Sequence, residues 1–190
     1  MLSSYNYPAF NSLAHVALFD NVTNAKELRS RLISAATMSG PDGELEREAV
    51  NFAFVDASLV VSEMHLQTAL LFALLADART SLRTKTVHSE ILWALNPTNN
   101  ISEAIRRFGV SDSTTRLLVV RVCTPPTSTS PENIETALRT GVAGDAVPLS
   151  CLSSFTDWSK LTKYYKLPAG VPHERLIQIV ESTVGAKSAA

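Results

Sequence analysis

The segment from Arg83 to Gly109, RTKTVHSEILWALNPTNNISEAIRRFG, concentrates turn, cap and helix signals that leave it few ways to fold. Ile91, Leu92 and Leu95 recur at the spacing of one helical face, so its first half reads as a helix. Ser89-Glu90 sits at the start, where small polar and acidic residues satisfy free N–H groups and complement the helix dipole. Asn96-Pro97 stops that helix, because proline disfavours the helical conformation of the residue before it. Asn100 opens another, its side chain placed to cap, with Glu103 three residues on to complete a capping box. Ala104, Ile105 and Phe108 are expected to face inward and Arg106 and Arg107 outward. Gly109 falls where a helix C-cap uses a left-handed residue. So many signals agreeing in one window imply a shape that is held rigidly.

The remaining pattern builds one domain around this segment. His15 to Phe19 reads as a strand, and Asn24 with Glu27 as a capping box opening a helix whose Leu28, Leu32, Ala35 and Ala36 share a side. Residues 39–48, acidic and holding Gly40, Pro41 and Gly43, are expected to form a loop. Phe52 to Val55 is a short buried strand, and Asp56 caps a long helix from about Ala57 to Arg79. That helix is apolar on most sides toward its end, which places it centrally, with Met64 and Phe72 in the core. Arg116 to Val122 is a strand, and Thr124 to Ser130, with Pro125 and Pro126, is a break. Ser130-Pro131 begins a helix in the favoured order. Ala146 to Leu149 fits an edge strand that tolerates Pro148, and Thr156 to Lys166 a helix bearing Trp158, Leu161 and Tyr165. The expectation is a single α/β (α+β) domain over residues 1–190: a small mixed sheet of about four strands flanked by helices.

The C-terminal helix, about residues 172–184, carries more apolar surface than one core needs. Leu176, Ile177, Val180 and Val184 make a stripe, and Ile179 widens it. Either both flanks are buried at home or the surplus fills a partner's groove.

Several functions are excluded. The seven glycines form no phosphate-binding loop, and no G-x-S-x-G nucleophile elbow occurs. His15, His65, His88 and His173 show no zinc spacing, and Cys123 with Cys151 forms no redox or metal motif. His88 beside Ser89 and Glu90 is the most tempting catalytic cluster, but helix initiation explains Ser89 and Glu90 more simply. No secretory signal or stretch of roughly 20 apolar residues is present, so a soluble intracellular protein is expected. A formal net charge of −1 gives no global basic field, so any RNA contact must come from a local patch. Arg79, Arg83 and Lys85 supply such a patch, although cations at a helix end are also favoured by the dipole alone.

The motif set resembles that of the small subunit of the KEOPS (EKC) complex that binds the PRPK kinase. The resemblance rests on Thr84-Lys85, Ser89-Glu90, Leu95-Asn96-Pro97, Asn100 to Ala104 and Phe108-Gly109. Upstream it includes Leu18-Phe19, Val22, Asn24-Ala25, Leu28-Arg29 and Phe54-Val55-Asp56, and downstream Tyr164-Tyr165-Lys166-Leu167. It implies a non-catalytic accessory subunit, without cofactor, metal, membrane or small-molecule substrate. The complex installs threonylcarbamoyl on the adenosine next to the anticodon of tRNA, the chemistry belonging to its transferase subunit.

By the same resemblance, the chain would bind the atypical kinase/ATPase subunit through Leu176, Ile177, Ile179, Val180 and Val184, and the transferase and other subunits indirectly. It would help recruit the tRNA 3′ CCA end through Arg83 and Lys85, joined by proximity by Arg79, Arg106 and Arg107. His88, Asn99 and Asn100 would read or stack on unpaired bases. Nucleus and cytoplasm are the implied locations, with links to telomere maintenance and transcription. On this basis Ile177→Arg with Val180→Arg should abolish kinase binding without changing stability. The reading from another class is a stand-alone RNA-binding module working without the kinase, against which the near-neutral charge argues.

Overall fold

The computed structural model describes residues 1–125 and 129–187. Pro126, in the expected break between Thr124 and Ser130, lies outside them.

The sheet is built on β2 (Ser12–Asp20) and β4 (Leu117–Cys123), which pair antiparallel over most of their length. β3 (Ala53–Asp56) lies on the far side of β4. The other edge of β2 is shared by β1 (Ser3–Tyr7) against its first half and β5 (Asp145–Val147) against its last three residues. The α+β class holds, but the sheet has five strands, antiparallel at each pairing, where about four in a mixed sheet were expected. β1 is not legible in the sequence because SSYNY alternates polar residues with half-buried tyrosines and lacks a strong apolar signal.

β4 is buried at every position, so its LLVV run is continuous rather than alternating, and the buried Arg121 that follows donates to the Asn51 carbonyl and to Glu48. Leu118, Val120 and Val122 join one core with Val16 and Leu18; Leu117, Val119 and Cys123 join another with Ala17 and Phe19. The second core is covered by α1 (Ala25–Thr37) and α6 (Pro131–Gly141). The first and larger is covered by α3 (Glu63–Ala78), α4 (Val87–Leu95), α7 (Trp158–Tyr165) and α8 (His173–Lys187). α5 (Ile101–Phe108) closes its end through Phe108.

Several local expectations are corrected. Residues 39–48 are not a loop but lie in a helix, α2 (Gly40–Ala49), with Pro41 in its first turn. Arg31 grips Glu46 through two hydrogen bonds of 2.5 and 3.1 Å, and Arg47 donates to the carbonyls of Met38 and Ala35, tying α2 back to α1. Gly43 is required by packing, since a Cβ there would lie 2.5 Å from the Met38 carbonyl oxygen.

The long helix expected from Ala57 is split. Asp56 caps a short 3-10 turn at Ala57–Leu59, Val60 is extended, and Ser62 then caps α3 by accepting from the His65 N–H at 3.0 Å. Met64 is not core: on the outer face of α3 it is 60% exposed, while Phe72 is half-buried against Trp93. Asn24 caps nothing; its amide donates to the Gly141 carbonyl and accepts from the Ala143 N–H, bracing the end of α6.

Candidate functional site

α4 begins with a capping box in which the Thr86 hydroxyl accepts from the Ser89 N–H and the Ser89 hydroxyl from the Thr86 N–H. Helix initiation is thus complete without Glu90, which is fully buried. One Glu90 oxygen accepts from the Arg83 N–H, the Thr84 N–H and the Thr84 hydroxyl at 3.0, 2.8 and 2.7 Å.

The other end of α4 leaves orphan carbonyls that intrahelical bonds cannot satisfy. Two side chains from distant elements fill them. The Tyr165 hydroxyl donates to the Leu95 carbonyl, which explains that tyrosine in the YYKL motif. Burial pushes Tyr165 up, so it remains a donor at neutral pH. Lys187, at the end of α8, donates to the carbonyls of Trp93, Asn96 and Thr98 at 2.5, 2.7 and 3.0 Å. Its ammonium also lies 3.6 Å from the centre of the Trp93 ring.

Trp93 is therefore a hub. The Arg83 guanidinium stands 5.8 Å from its ring centre, and its indole N–H donates to the Asn99 carbonyl at 3.3 Å. Arg83, Lys187 and the Asn99 backbone converge on one aromatic ring. Asn100 follows directly and caps α5, its side chain accepting from the Glu103 N–H at 2.9 Å. The expected capping box is incomplete, because Glu103 turns instead to the Thr98 hydroxyl.

Of the expected RNA-contacting residues, Arg83, Lys85, Asn99 and Asn100 are exposed at this junction, and Arg79 is exposed at the C-cap of α3. Arg106 and Arg107 occupy the far end of α5, about 10 Å along the helix from Asn100. Arg106 is exposed, whereas Arg107 pairs with Glu103 and stacks over Tyr164 at 4.4 Å. His88 does not share this exposure. It is buried, its Nε2 accepts from the Val122 N–H at 2.9 Å, and burial with the nearby Arg121 charge pushes it down to about 3. A neutral imidazole locked to β4 offers no face to a base. Ile105, expected inward, is 49% exposed.

α8 divides the apolar stripe expected of it. Leu176, Val180 and Val184 are buried in the larger core and hold the helix on the domain. They are not free to meet a partner, because i, i+4, i+8 spacing aims all three at the same side. Ile177 and Ile179 flank that stripe and stay half-buried. The outer face is a shallow open groove lined by Arg175, Gln178, Ile179, Ser182, Thr183 and Ala186. Ser182 and Ala186 are small enough for another helix to approach closely there.

The sequence assigns no role to Lys187 or Trp93, and to Glu90 only that of starting a helix. Nothing in the spacing of Lys187 links it to a turn some ninety residues earlier. Burial pushes Lys187 down from the ordinary lysine value of 10.5 to about 8, the Glu90 charge opposing. The folded protein therefore releases this proton before the unfolded chain does. Between about pH 8 and 10.5, stability relative to Lys187→Met is expected to rise with pH. The Trp93 indole resonance should titrate with a midpoint near 8, and that transition should vanish in Lys187→Met.

Among the described residues, no three His, Cys, Asp or Glu side chains gather to hold a metal ion, and no helix is long and apolar enough to cross a membrane.

Known proteins resemble this chain over most of its length. The family described as "Kinase binding protein CGI-121" matches residues 19–188. The chain is 38% identical to the "EKC/KEOPS complex subunit CGI121" of Cryptococcus neoformans, with 87% of each chain covered. It is 39% identical to the subunit of that name from Aspergillus fumigatus, covering 80% of this chain and 76% of the relative. The Kluyveromyces lactis subunit is 31% identical over 77% of this chain and 81% of its own. The matched region takes in α1 to α8 and so both surfaces described above, and the chain belongs to the kinase-binding CGI-121 family.

Proposed function

We propose that this chain is a non-catalytic accessory subunit of an EKC/KEOPS complex. It binds the atypical kinase/ATPase subunit of that complex through the outer face of α8 and helps recruit tRNA by its single-stranded 3′ end. The threonylcarbamoyl chemistry belongs to the transferase subunit, with the nucleus and cytoplasm as the sites of action.

The observation that carries the tRNA half of this reading is the convergence on Trp93. Arg83 is exposed beside Lys85, and Asn99 and Asn100 lie exposed on the adjoining turn. What supports the reading is that exposed cations stand beside exposed polar side chains, the mixture that phosphates and unpaired base edges call for. The kinase half is supported by α8, whose buried stripe fixes it to the domain while Ile179, Ser182 and Ala186 face outward.

The test is tRNA binding by the complex of this chain with its kinase subunit, using Arg83→Glu with Lys85→Glu. Affinity is expected to fall about tenfold or more. The salt dependence should flatten by a slope of about 1.4 if two single-strand phosphate contacts are lost, at roughly 0.7 each. Unchanged affinity and slope would show that these cations are only solvated.

A further inference from the structure

Glu90 is an unusual residue to find where it is. A carboxylate fully removed from water costs several kcal/mol unless it is well compensated. The start of α4 does not need it, because Thr86 and Ser89 already close the capping box. Among the described residues, no Arg or Lys makes an ion pair with it. Its partners are instead the two backbone N–H groups of Arg83 and Thr84 and the Thr84 hydroxyl, all on one oxygen. The Ser89 hydroxyl donates to the Thr84 hydroxyl at 3.0 Å, buttressing the same turn. Its second oxygen is buried without a hydrogen bond, and Lys187 is close enough to feel the charge.

Two of these bonds hold the backbone of the basic segment, the other two hold the Thr84 side chain between them, and none acts on its cations. Two consecutive amides turned onto one buried oxygen fix the path of the chain at 83–84. The Arg83 side chain is left to run out over Trp93, and Lys85 emerges into solvent. A charged acceptor makes this clasp about twice as strong as a neutral one.

We infer that Glu90 is the positioning residue of the tRNA-binding segment: it holds the Arg83–Thr84 backbone so that Arg83 and Lys85 are presented together, without touching RNA itself. This rests on the RNA-recruiting reading given above. Pre-organisation of this kind raises affinity by removing the cost of ordering a flexible loop on binding.

The experiment compares wild type, Glu90→Gln, Glu90→Met and Arg83→Glu/Lys85→Glu, each in complex with the kinase subunit. Three readouts are needed: affinity for tRNA, affinity for the kinase, and amide exchange at Arg83 and Thr84. Glu90→Met should speed exchange at those two amides and weaken tRNA binding about tenfold, with Glu90→Gln intermediate and kinase affinity unchanged. Faster exchange with undiminished tRNA affinity would overturn the inference, and so would a parallel fall in kinase affinity, which marks a general structural role. If Glu90→Met does not fold, Glu90→Gln decides alone: wild-type tRNA affinity there rejects the clasp. Failure of the recruiting reading is distinct, because Arg83→Glu/Lys85→Glu would then bind tRNA as wild type does.

Discussion

Arginine at position 180 is expected to destabilise the protein severely, whereas arginine at position 182 should leave it folded and weaken kinase capture strongly. Val180 has no exposed surface and sits between Leu176 and Val184 on the stripe that fixes α8 to the larger core. A guanidinium there has no partner and displaces packed side chains, at a cost of about 4 kcal/mol or more. That is a large part of the roughly 5–15 kcal/mol that hold a domain together. A thermal melt reads it directly. Ser182 lies on the open outer groove, where a surface substitution shifts stability by only about 0.5 kcal/mol. If the kinase packs a helix into that groove, as proposed, an arginine in place of serine should weaken binding roughly a hundredfold. The Ile177→Arg/Val180→Arg pair does not separate the two effects, since one of its positions is core. Full kinase binding by Ser182→Arg would move the docking surface elsewhere.

Gly109→Ala is the second substitution with a large expected effect, at about 3 kcal/mol of stability. The reason is not the left-handed cap that an F-G dipeptide after a helix implies. Gly109 has φ −75 and ψ 166, which any residue adopts. A methyl group there would lie 2.4 Å from the Ile105 carbonyl oxygen, a backbone atom that moves only if α5 moves. Gly109 also bridges to Val55, and the next residue donates to the Phe54 carbonyl at 3.1 Å, so the strain reaches β3. The two explanations differ in what rescues them. A left-handed cap would accept asparagine almost as well as glycine; here asparagine should be at least as damaging as alanine. Chemical denaturation of the two variants checks this, and a near-wild-type Gly109→Asn would restore the cap explanation.

Where the sequence was legible, one residue's own neighbours decided its conformation. The Asn96-Pro97 stop, the Asn100 cap, the Ser130-Pro131 start and the continuous β4 strand all stand where local rules put them. Where it was not, a distant segment decided. Asn24 carries a cap signature but is drawn to the end of α6 by bonds to Gly141 and Ala143. The turn-rich stretch before β3 became α2 because Arg31 and Arg47 tie it to α1. The candidate site divides in the same way. Arg83, Lys85, Asn99 and Asn100 are exposed together as their shared segment implies. His88 has the same neighbours in sequence, yet β4 takes it as an acceptor. The α8 stripe was visible as too wide, but which of its residues belonged to the core depended on where α3 and α4 lay.

The three hydrogen bonds from Lys187 have a consequence for genetics. The last turn of α8 and the loop between α4 and α5 are mechanically one piece, although some ninety residues separate them in the chain. Under the function proposed above, alleles that alter this turn should impair kinase binding and RNA binding together. Their effects should combine non-additively with changes at Trp93 or Asn99, while additivity should hold with changes at Arg106, at the far end of α5. A variant series crossing position 187 with each of those sites would trace how far a disturbance at the tail of the molecule is felt at its signature turn.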